Sequence, residues 1–334
     1  AVTLLGCLIA CKMGPRVNAL VDNPRTRHLH KRGLPRVGGI ALFAGFAVAS
    51  ILAYTQSSLD NPADARRIIG VLIGCTLLLP IGLIDDLKDL GWIPQLLGQI
   101  LVSIIAICTT IFIERFTNPL TGQVIELHVL PLLGPLLTIA FTLFWIVGMM
   151  NTVNWLDGLD GLASGVGAIA SFLFAIHMYN LGQKQIALYA VAMAGACLGV
   201  LPFNFSPARL FLGSTGAMIL GYALATLSIL APARMATALL VMAVPIADTA
   251  WQIYDRHRRG VSIFRGDRGH LHFRLIDKGY SQIHIVLSYW LACGIFGVIS
   301  LFVTSQLVKI VILLTLISLT LSYLARLSRQ HPTL

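Results

Sequence analysis

The chain has 334 residues, of which 57% are hydrophobic and only 11% are charged, and its mean hydropathy is +0.82. A soluble chain carries roughly 25% charged residues, so there is too little polar surface here to coat a water-soluble globule. Modest Gly, Pro and Cys contents also exclude collagen-like, disordered and disulfide-scaffold classes. The composition therefore predicts a polytopic membrane protein.

Eleven apolar segments have about the length of a membrane-spanning helix, which needs roughly 20 residues. They fall at 1–15, 38–57, 66–84, 93–113, 133–150, 161–180, 185–203, 210–230, 234–253, 285–304 and 306–324. The first begins at Ala1 without a methionine and has no basic stretch before it, so we expect a trimmed first helix rather than a signal peptide. We predict one all-α membrane domain over 1–334 with about 11 (10–11) spanning helices.

The basic residues segregate when the loops between these segments are numbered alternately. Eighteen of the 24 Lys and Arg residues fall on one side, and the other side holds only Arg66, Arg67, Arg115, Lys184, Arg234 and Lys309. The positive-inside rule then predicts an N-terminus outside and a C-terminus in the cytoplasm. The longest outer loop contains the turn sequence TNPLTGQ between β-branched residues, which predicts a small extracytoplasmic hairpin near 117–130.

Five polar clusters fall in the predicted cytoplasmic loops, at 16–37, 85–92, 151–160, 204–216 and 254–284. The first contains Arg25, Arg27, Lys31, Arg32 and Arg36 with two histidines, and it closes on a Gly-Gly pair. Guanidinium groups suit phosphate oxygens, and glycines let the backbone approach a ligand. On charge alone, a basic patch on anionic lipid is the favoured interpretation of this loop.

The second cluster, LIDDLKDLG, follows directly on an apolar run. Asp85 and Asp89 are spaced to share a helical face, and Asp86 lies between them in sequence. Three carboxylates at a membrane boundary repel one another unless a cation or a proton lies between them. This pattern favours Mg²⁺ with a diphosphate over a solvated last turn.

The third cluster, NTVNWLDGLDGLASG, places Asn151, Asn154, Asp157 and Asp160 at three-residue intervals. That spacing lines one face of a broken helix with oxygen ligands and amide donors. Polar groups at membrane depth are costly and by default indicate function.

The last two clusters are less specific on their own. FNFSPARLFLGSTGA enters a helix through Gly213 and Ser214, a pattern that suits either an anion site or ordinary capping. The loop 254–284 combines seven basic residues with Asp267, His270 and His272. A His-x-His pair binds metal or phosphate or acts as acid or base, and the basic surroundings favour an anionic ligand.

Taken in order, these clusters resemble the motifs of the polyprenyl-phosphate N-acetylhexosamine-1-phosphate transferases. That family is related to the phospho-muramoyl-pentapeptide translocase and to the eukaryotic dolichyl-phosphate enzyme. The family's basic motif is similar to DNPRTRHLHKRGLPRVGG, its DD-x-x-D motif to LIDDLKD, and its N-x-x-N-x-x-D-G motif to NTVNWLDGLDGLA. Its F-x-G-D-x-G motif is similar to PARLFLGSTGA and its histidine motif to GDRGHLHFRL. The matching segments span residues 22–279.

The resemblance implies a reaction and its partners. An amino-sugar 1-phosphate, with GlcNAc favoured by the histidine motif, passes from a UDP-sugar to polyprenyl (undecaprenyl) phosphate and UMP is released. The expected place is the cytoplasmic face of the bacterial inner membrane, where the product starts a cell-envelope polysaccharide such as lipopolysaccharide or teichoic acid. Mg²⁺, with Mn²⁺ as a substitute, is the implied cofactor. A homodimer is expected by analogy, and no nucleic acid.

Motif positions carry roles over to this chain, all as implications of the resemblance. The catalytic set is Asp85 and Asp86, which orient or deprotonate the lipid phosphate, together with His270 and His272. The substrate-binding set is Arg36, Asn151, Asp157, Asp160, Asn204 and Arg265. The metal set is Asn154, Asp89 and Ser214.

Two positions depart from the family pattern, and one of them matters for activity. Phe273 replaces the last histidine of the histidine motif, as in the translocase relatives. Ser214 stands where the family has an aspartate that binds the metal, and a hydroxyl is a weaker ligand than a carboxylate. The main alternative is therefore an impaired homologue that binds UDP-sugar or lipid phosphate without efficient turnover. A transporter is a more distant alternative, which would require acids buried within the apolar segments and inverted repeats. Neither is apparent in the sequence, so we expect no acid to lie buried within an apolar segment.

Overall fold

The computed structural model describes residues 1–13, 21–22, 33–56, 61–118, 121–131, 133–230, 235–263 and 268–330. Within these residues the chain is almost entirely helical. The helices are α1 Val2–Met13, α2 Gly38–Gln56, α3 Pro62–Lys88, α4 Trp92–Cys108, α5 Leu133–Leu156, α6 Leu162–Asn180, α7 Lys184–Asn204, α8 Gly213–Leu230, α9 Met235–Val241, α10 Ala243–Arg258, α11 Leu271–Asp277, α12 Gln282–Phe302 and α13 Gln306–Gln330. The strands are β1 Val21–Asp22, β2 Leu34–Pro35, β3 Arg115–Thr117 and β4 Val124–Glu126, and a 3₁₀ turn follows at Leu127–Val129.

The helices confirm a multi-pass membrane protein. Eight helices of the described residues are long and apolar enough to cross a bilayer, or nine if the bent pair α9 and α10 is one span. The shorter apolar helices α1 and α4 account for the two remaining predicted segments. The total of 11 spans and their orientation stay predictions.

The predicted single span at 234–253 is wrong in shape. It is two helices that meet at Met242 with a bend of 76°. Pro245 explains the break, because its ring would clash with the carbonyl of Val241 four residues earlier in a continuous helix. The second helix, α10, then runs on to Arg258 and carries polar side chains toward the candidate site.

Helix α8 is the centre of the bundle. Of its apolar window 83% is buried, against 11% for α13, and it packs on α3 and α5. Small residues make this possible, since they let helix backbones approach closely. A Cβ added at Gly221 would lie 2.6 Å from the Cα of Met150 on α5, and a Cβ at Gly82 of α3 would collide with the backbone of Thr215.

The predicted hairpin is present. Strand β3 pairs antiparallel with β4, with Arg115 opposite Glu126 and Thr117 opposite Val124. Gly122 adopts a left-handed φ of 70° in the turn between them. The hairpin spans 115–126, so it begins two residues before the predicted 117–130, and its side of the membrane stays a prediction.

Candidate active site

Asp86 at the end of α3 is bound to the first turn of α8. Its Oδ1 accepts a hydrogen bond from the backbone N–H of Ser214 at 2.8 Å. Its Oδ2 accepts from the backbone N–H of Thr215 at 3.1 Å and from the Thr215 hydroxyl at 2.6 Å. A carboxylate is favoured at a helix N-terminus, where unpaired N–H groups and the helix dipole meet it. The second and fourth sequence clusters are thus one structural unit.

Gly213 is required at this junction. Its φ of 74° lies in the left-handed region, and an added Cβ would lie 2.7 Å from Oδ2 of Asp86. Because it has no side chain, the glycine of the LGSTG segment therefore allows the backbone to lie close to the carboxylate of Asp86.

The other two carboxylates of LIDDLKDLG point to different partners. Asp85 is buried and accepts a hydrogen bond from Nε2 of Gln95 on α4 at 2.7 Å. Asp89 lies past the end of α3 in a left-handed conformation, and its carboxylate is 3.5 Å from Nη1 of Arg36. The predicted shared face of Asp85 and Asp89 is therefore wrong, because the helix ends at Lys88 before Asp89 joins it.

The first half of the third cluster is helical. Asn151 and Asn154 lie in the last turns of α5, which continues to Leu156. Asn151 donates from Nδ2 to Oε1 of buried Gln99 at 2.7 Å and to the carbonyl of Val147 at 2.9 Å. The Asn151 amide thus joins α5 to α4, and its predicted contact with substrate stays a prediction.

Asp157 lies where the acidic clusters meet. Burial, followed by the nearby charges of Asp86 and Asp160, holds the pKa of Asp157 well above its usual range. Arg36 and the backbone N–H of Gly213 act in the opposite direction and favour the ionised form. A carboxyl group in such a place takes up a proton or a cation.

Asp160 and Asn204 join the loop before α6 to the loop before α8. Asp160 accepts a hydrogen bond from the backbone N–H of Ala208 at 3.1 Å. Oδ1 of Asn204 accepts from the N–H of Gly161 at 3.2 Å and from the hydroxyl of Ser164 at 2.8 Å. Both side chains are buried. Their contacts are within the protein, so their predicted place near the nucleotide stays a prediction.

His270 of the fifth cluster is oriented by an acid on α10. Its Nδ1 lies 3.1 Å from Oδ2 of Asp248, and Oδ1 of Asp248 accepts from the backbone N–H of Leu271 at 2.9 Å. A carboxylate on one imidazole nitrogen fixes the ring and leaves the other nitrogen for a ligand. Asp248 therefore both starts α11 and aims His270.

His272 connects the fifth cluster to the third. It stacks on His270 with ring centroids 5.6 Å apart, and a Cβ added at Gly158 would collide with its Nε2. The His272 side chain is fully buried, and neither ring nitrogen has a hydrogen-bond partner among the described residues. Burial, assisted by the neighbouring His270, lowers the pKa of His272 to about 3. A neutral imidazole with two unpaired nitrogens indicates a polar ligand at this position.

Sequence reasoning missed the polar face of α10. Gln252 donates from Nε2 to the carbonyl of Gly269, and Arg256 donates from Nη1 to the carbonyl of Ile263 at 2.7 Å. The Arg256 guanidinium also lies 5.3 Å from the ring centroid of Trp155. The expectation that no acid lies buried within an apolar segment is wrong for Asp248, which is 4% exposed inside 234–253. An acid in an apolar run was the signal that could have found this face.

The described end of the first cluster packs against the fourth. The backbone N–H of Gly38 donates to the carbonyl of Phe211, and that of Gly39 to the carbonyl of Leu212, both at 2.9 Å. The N–H of Phe211 donates in turn to the carbonyl of Pro35 at 2.9 Å. Other predicted residues lie outside the described residues, namely Arg25, Arg27, His28, His30, Lys31, Arg32, Arg265 and Asp267.

The donor set at the meeting point of the clusters suits a hard cation. No group of three or more His, Cys, Asp or Glu side chains in the described ranges is close enough to form a metal cage by itself. Mg²⁺ is usually held by one or two carboxylates with waters and substrate phosphates rather than by such a cage. The destabilised negative charge of Asp157 is the structural feature that a cation would relieve.

Comparison with known proteins gives a consistent result. Residues 68–232 match the model of glycosyl transferase family 4. The chain is 31% identical over 299 residues to a probable undecaprenyl-phosphate N-acetylglucosaminyl 1-phosphate transferase of Bacillus subtilis, covering 87% of this chain and 77% of that protein.

Two further relatives extend the comparison. The chain is 34% identical over 303 residues to the decaprenyl-phosphate N-acetylglucosaminephosphotransferase of Mycobacterium tuberculosis, covering 82% of this chain and 73% of that protein. It is 30% identical over 306 residues to the phospho-N-acetylmuramoyl-pentapeptide-transferase of Desulforudis audaxviator, covering 87% of this chain and 89% of that protein. The matching motifs, the multi-pass helical fold and these identities together show that the chain belongs to the polyprenyl-phosphate N-acetylhexosamine-1-phosphate transferase family, within glycosyl transferase family 4.

Proposed function

We propose that the protein transfers N-acetylglucosamine 1-phosphate from UDP-GlcNAc to a polyprenyl phosphate and releases UMP. The relatives named for transfer to undecaprenyl and decaprenyl phosphate support the acceptor and the sugar. The site supports the chemistry, because phosphoryl transfer needs mainly positioning and charge neutralisation. We further propose that the reaction takes place on the cytoplasmic face of the bacterial inner membrane and starts a cell-envelope polysaccharide.

The observation that carries the proposal is the joining of four sequence clusters through Asp86, Asp157 and His272. Asp86 binds the start of α8, and His272 packs on Gly158. Asp157 is close enough to Asp86 and Arg36 to interact with them electrostatically. The motifs are more than 180 residues apart in sequence at their extremes, from 86 to 272. Acids, a guanidinium group and two imidazole rings come from these clusters, and groups of these kinds would suit a diphosphate substrate.

The proposed reaction is a single displacement at phosphorus. An oxygen of the lipid phosphate forms a bond to the β-phosphorus of UDP-GlcNAc. The bond from that phosphorus to the bridging oxygen breaks, and this oxygen leaves on UMP with its electron pair. The lipid then carries a diphosphate linked to the sugar.

The acidic pair would serve the nucleophile. Asp86 is held by three donors of α8, so its carboxyl group is fixed in place and would orient the incoming phosphate. Asp85, held by Gln95, is the second candidate for orienting the lipid phosphate or removing its proton. Both acids lie in the last turn of α3, and we propose that the lipid headgroup approaches the bundle at this end of the helix.

A divalent cation would be held beside Asp157. Asn154, Asp89 and Ser214 are the predicted ligands, and Asp157 joins them because its carboxyl group needs a counter-charge. When bound, Mg²⁺ supplies neutralisation of the diphosphate charge. The hydroxyl of Ser214 follows directly on Gly213, whose N–H lies against Asp157.

The histidines would hold the donor substrate. His272 is neutral and offers two unpaired ring nitrogens, so it can hydrogen-bond phosphate or sugar oxygens without adding charge. His270 is aimed by Asp248 and shares the same stack. Arg265 is assigned to the diphosphate by its motif position alone.

The impaired-homologue alternative is not favoured. Its single support is the serine at 214, and the other clusters are joined to one another through Asp86, His270 and Gly158. The relatives at 31% and 34% identity are named as transferases. A homodimer stays a prediction.

The test is UMP release by the purified protein in detergent with UDP-GlcNAc and undecaprenyl phosphate. We expect release that requires both the lipid and Mg²⁺. We expect Asp157→Asn to be inactive, and it serves as the reference variant. UDP-GlcNAc binding without UMP release would favour the impaired homologue, and the absence of both would contradict the proposed function.

A further inference from the structure

A cavity of about 250 Å³ lies at the end of the bundle opposite the candidate site. It opens beside Arg67 near the start of α3, whereas Asp86 is near the end of the same helix. It also touches Ser228 in the last turn of α8, whose first turn binds Asp86. Nineteen residues of helix separate Arg67 from Asp86, or about 28 Å at 1.5 Å per residue. That distance is close to the ~30 Å thickness of a bilayer core.

The cavity has an apolar wall. The wall comes from the end of α8, the start of α9 and the start of α13, and includes Ile229, Leu230, Leu239, Ile310 and Leu313. Ligand pockets are roughly 300–1,000 Å³, so this volume suits a headgroup and the first carbons of its chains rather than a whole lipid. The remaining chain length would continue along the lipid-facing surface of α13, where only 11% of the apolar window is buried.

The charged side chains of the lining are mostly basic. Arg67, Arg115 and Lys309 contribute three cations and Glu114 one carboxylate. Only six Lys and Arg residues of the chain are predicted to lie on this side of the membrane, and three of those six line this one cavity. Such concentration on a cation-poor side indicates a bound anion.

Lys309 is the most informative of the three. It lies in the first turn of α13 and is only 5% exposed. Burying an ammonium group beside apolar residues is costly, and in membrane proteins it is by default a sign of function. Arg115 differs, because its side chain is half exposed at the start of the hairpin. Arg67 is partly buried and lies 3.2 Å from Asp64. The cavity thus combines a buried, a partly buried and a half-exposed cation above an apolar wall.

We propose that this cavity binds the phosphate headgroup of an anionic glycerophospholipid of the membrane. Arg67, Arg115 and Lys309 would bind the phosphate oxygens, and the apolar wall would take the first part of an acyl chain. The apolar wall is the reason for choosing a lipid over free inorganic phosphate. A lipid held there would join the far ends of α3, α8, α9 and α13. This site is separate from the transferase site and does not depend on the proposed function.

The test is native mass spectrometry of the delipidated protein titrated with phosphatidylglycerol or with phosphatidylcholine. We expect saturable phosphatidylglycerol binding that Arg115→Gln and Lys309→Gln each weaken by about tenfold, as expected for loss of one charged hydrogen bond. Arg66→Gln is the matched control, since Arg66 is exposed on the same helix next to Arg67 but does not line the cavity. We expect its affinity to stay within about twofold of the parent.

Several results would overturn the proposal. Equal affinity in the parent and in Arg115→Gln would exclude the cavity as the site. This variant changes a half-exposed side chain, so we expect the protein to fold normally. Equal affinity for phosphatidylcholine would exclude recognition of the anionic headgroup. Displacement of phosphatidylglycerol by millimolar inorganic phosphate, or by undecaprenyl phosphate in preference to other lipids, would assign the cavity to a different phosphate source.

Discussion

The two ends of the helix bundle use their charged groups in different ways. At the site end, carboxylates bind backbone N–H groups of distant segments: Asp86 binds Ser214 and Thr215, Asp160 binds Ala208, and Asp248 binds Leu271. At the opposite end, two ion pairs join near neighbours in sequence: Arg67 lies three residues from Asp64, and Arg115 is adjacent to Glu114.

The difference shows how this fold builds a site from loops. A buried carboxylate that accepts backbone N–H bonds fixes the position of a second segment, and its removal leaves those donors unpaired. An exposed ion pair between near neighbours typically contributes about 0–1 kcal/mol. Acids at the site end are therefore expected to be sensitive to substitution and acids at the opposite end tolerant.

The largest effect is expected for Asp86→Asn. The amide keeps the size of the side chain but loses its charge and turns an NH₂ group toward the N–H donors of α8. We expect the rate of UMP release to fall by roughly 10³-fold, the scale seen when a preorganised electrostatic group is removed. Asp64→Asn, on the same helix at the opposite end, is the control and should keep activity within about twofold. Similar losses in both variants would contradict the comparison.

A second, smaller effect is expected for Gly158→Ala. The new methyl group would collide with His272 and lie 2.9 Å from Cζ of Phe273, so the third and fifth clusters must separate. We expect about a 10²-fold fall in kcat, because small displacements of positioned groups are costly in catalysis. Gly148→Ala on α5 has no atom within 4 Å of the added Cβ and is the matched control. Full activity in Gly158→Ala would mean that catalysis does not depend on the packing of His272 against Gly158.

The third prediction concerns Ser214→Asp, which restores the aspartate of the family pattern. A carboxylate here adds a metal ligand but also a negative charge beside Asp86 and Asp157. We expect the Mg²⁺ concentration for half-maximal activity to fall by roughly tenfold, and the protein without Mg²⁺ to unfold at a lower temperature. Ser214→Ala separates the effect of charge from loss of the hydroxyl. An unchanged Mg²⁺ requirement in Ser214→Asp would place the cation away from the start of α8.

The smallest effect is a pH dependence of stability due to His272. Its folded pKa of about 3 lies below its ordinary value of 6.5, so the unfolded chain binds the proton more tightly. Stability is then full above about pH 6.5 and is lost as the pH falls toward 3. When the pH falls from 7.5 to 5.5, protonation linked to His272 should lower the free energy of unfolding by about 1 kcal/mol. The measurement is the unfolding temperature in detergent, which should fall. His272→Gln should lose less stability over that range, whereas an identical pH dependence would contradict a buried, neutral His272.

The helices were predictable because a bilayer imposes a length on every apolar run. Each of the eleven predicted segments coincides with a helix or, at 234–253, with the bent pair α9 and α10. The break itself could be inferred only by giving Pro245 more weight than the apolar composition around it. Composition measures whether a segment enters the membrane, whereas a proline decides whether it stays one helix.

The sequence identified candidate residues that the structure brings near one another, but it did not predict the contacts between them. Motif spacing identified Asp86, Asp157 and His272, but nothing in the sequence indicated that Asp86 would bind the start of α8. Asp85 and Asp89 were expected on one face and are separated, because helix α3 ends between them. Asp248 was missed because the segment 234–253 was assigned as a membrane span from its overall apolar composition, and the single acid within it was given no separate weight. Pairings between distant segments depend on tertiary packing, which periodicity does not encode.

The most direct test of the central claim follows the phosphate attached to the sugar. UDP-GlcNAc labelled with ³²P at the β-phosphate is incubated with the protein, undecaprenyl phosphate and Mg²⁺, and lipid and nucleotide products are separated. Transfer of the sugar 1-phosphate predicts that the label moves to the lipid fraction in the same amount as unlabelled UMP appears. Label retained in UDP, with sugar alone on the lipid, would contradict the account, as would the absence of any lipid product.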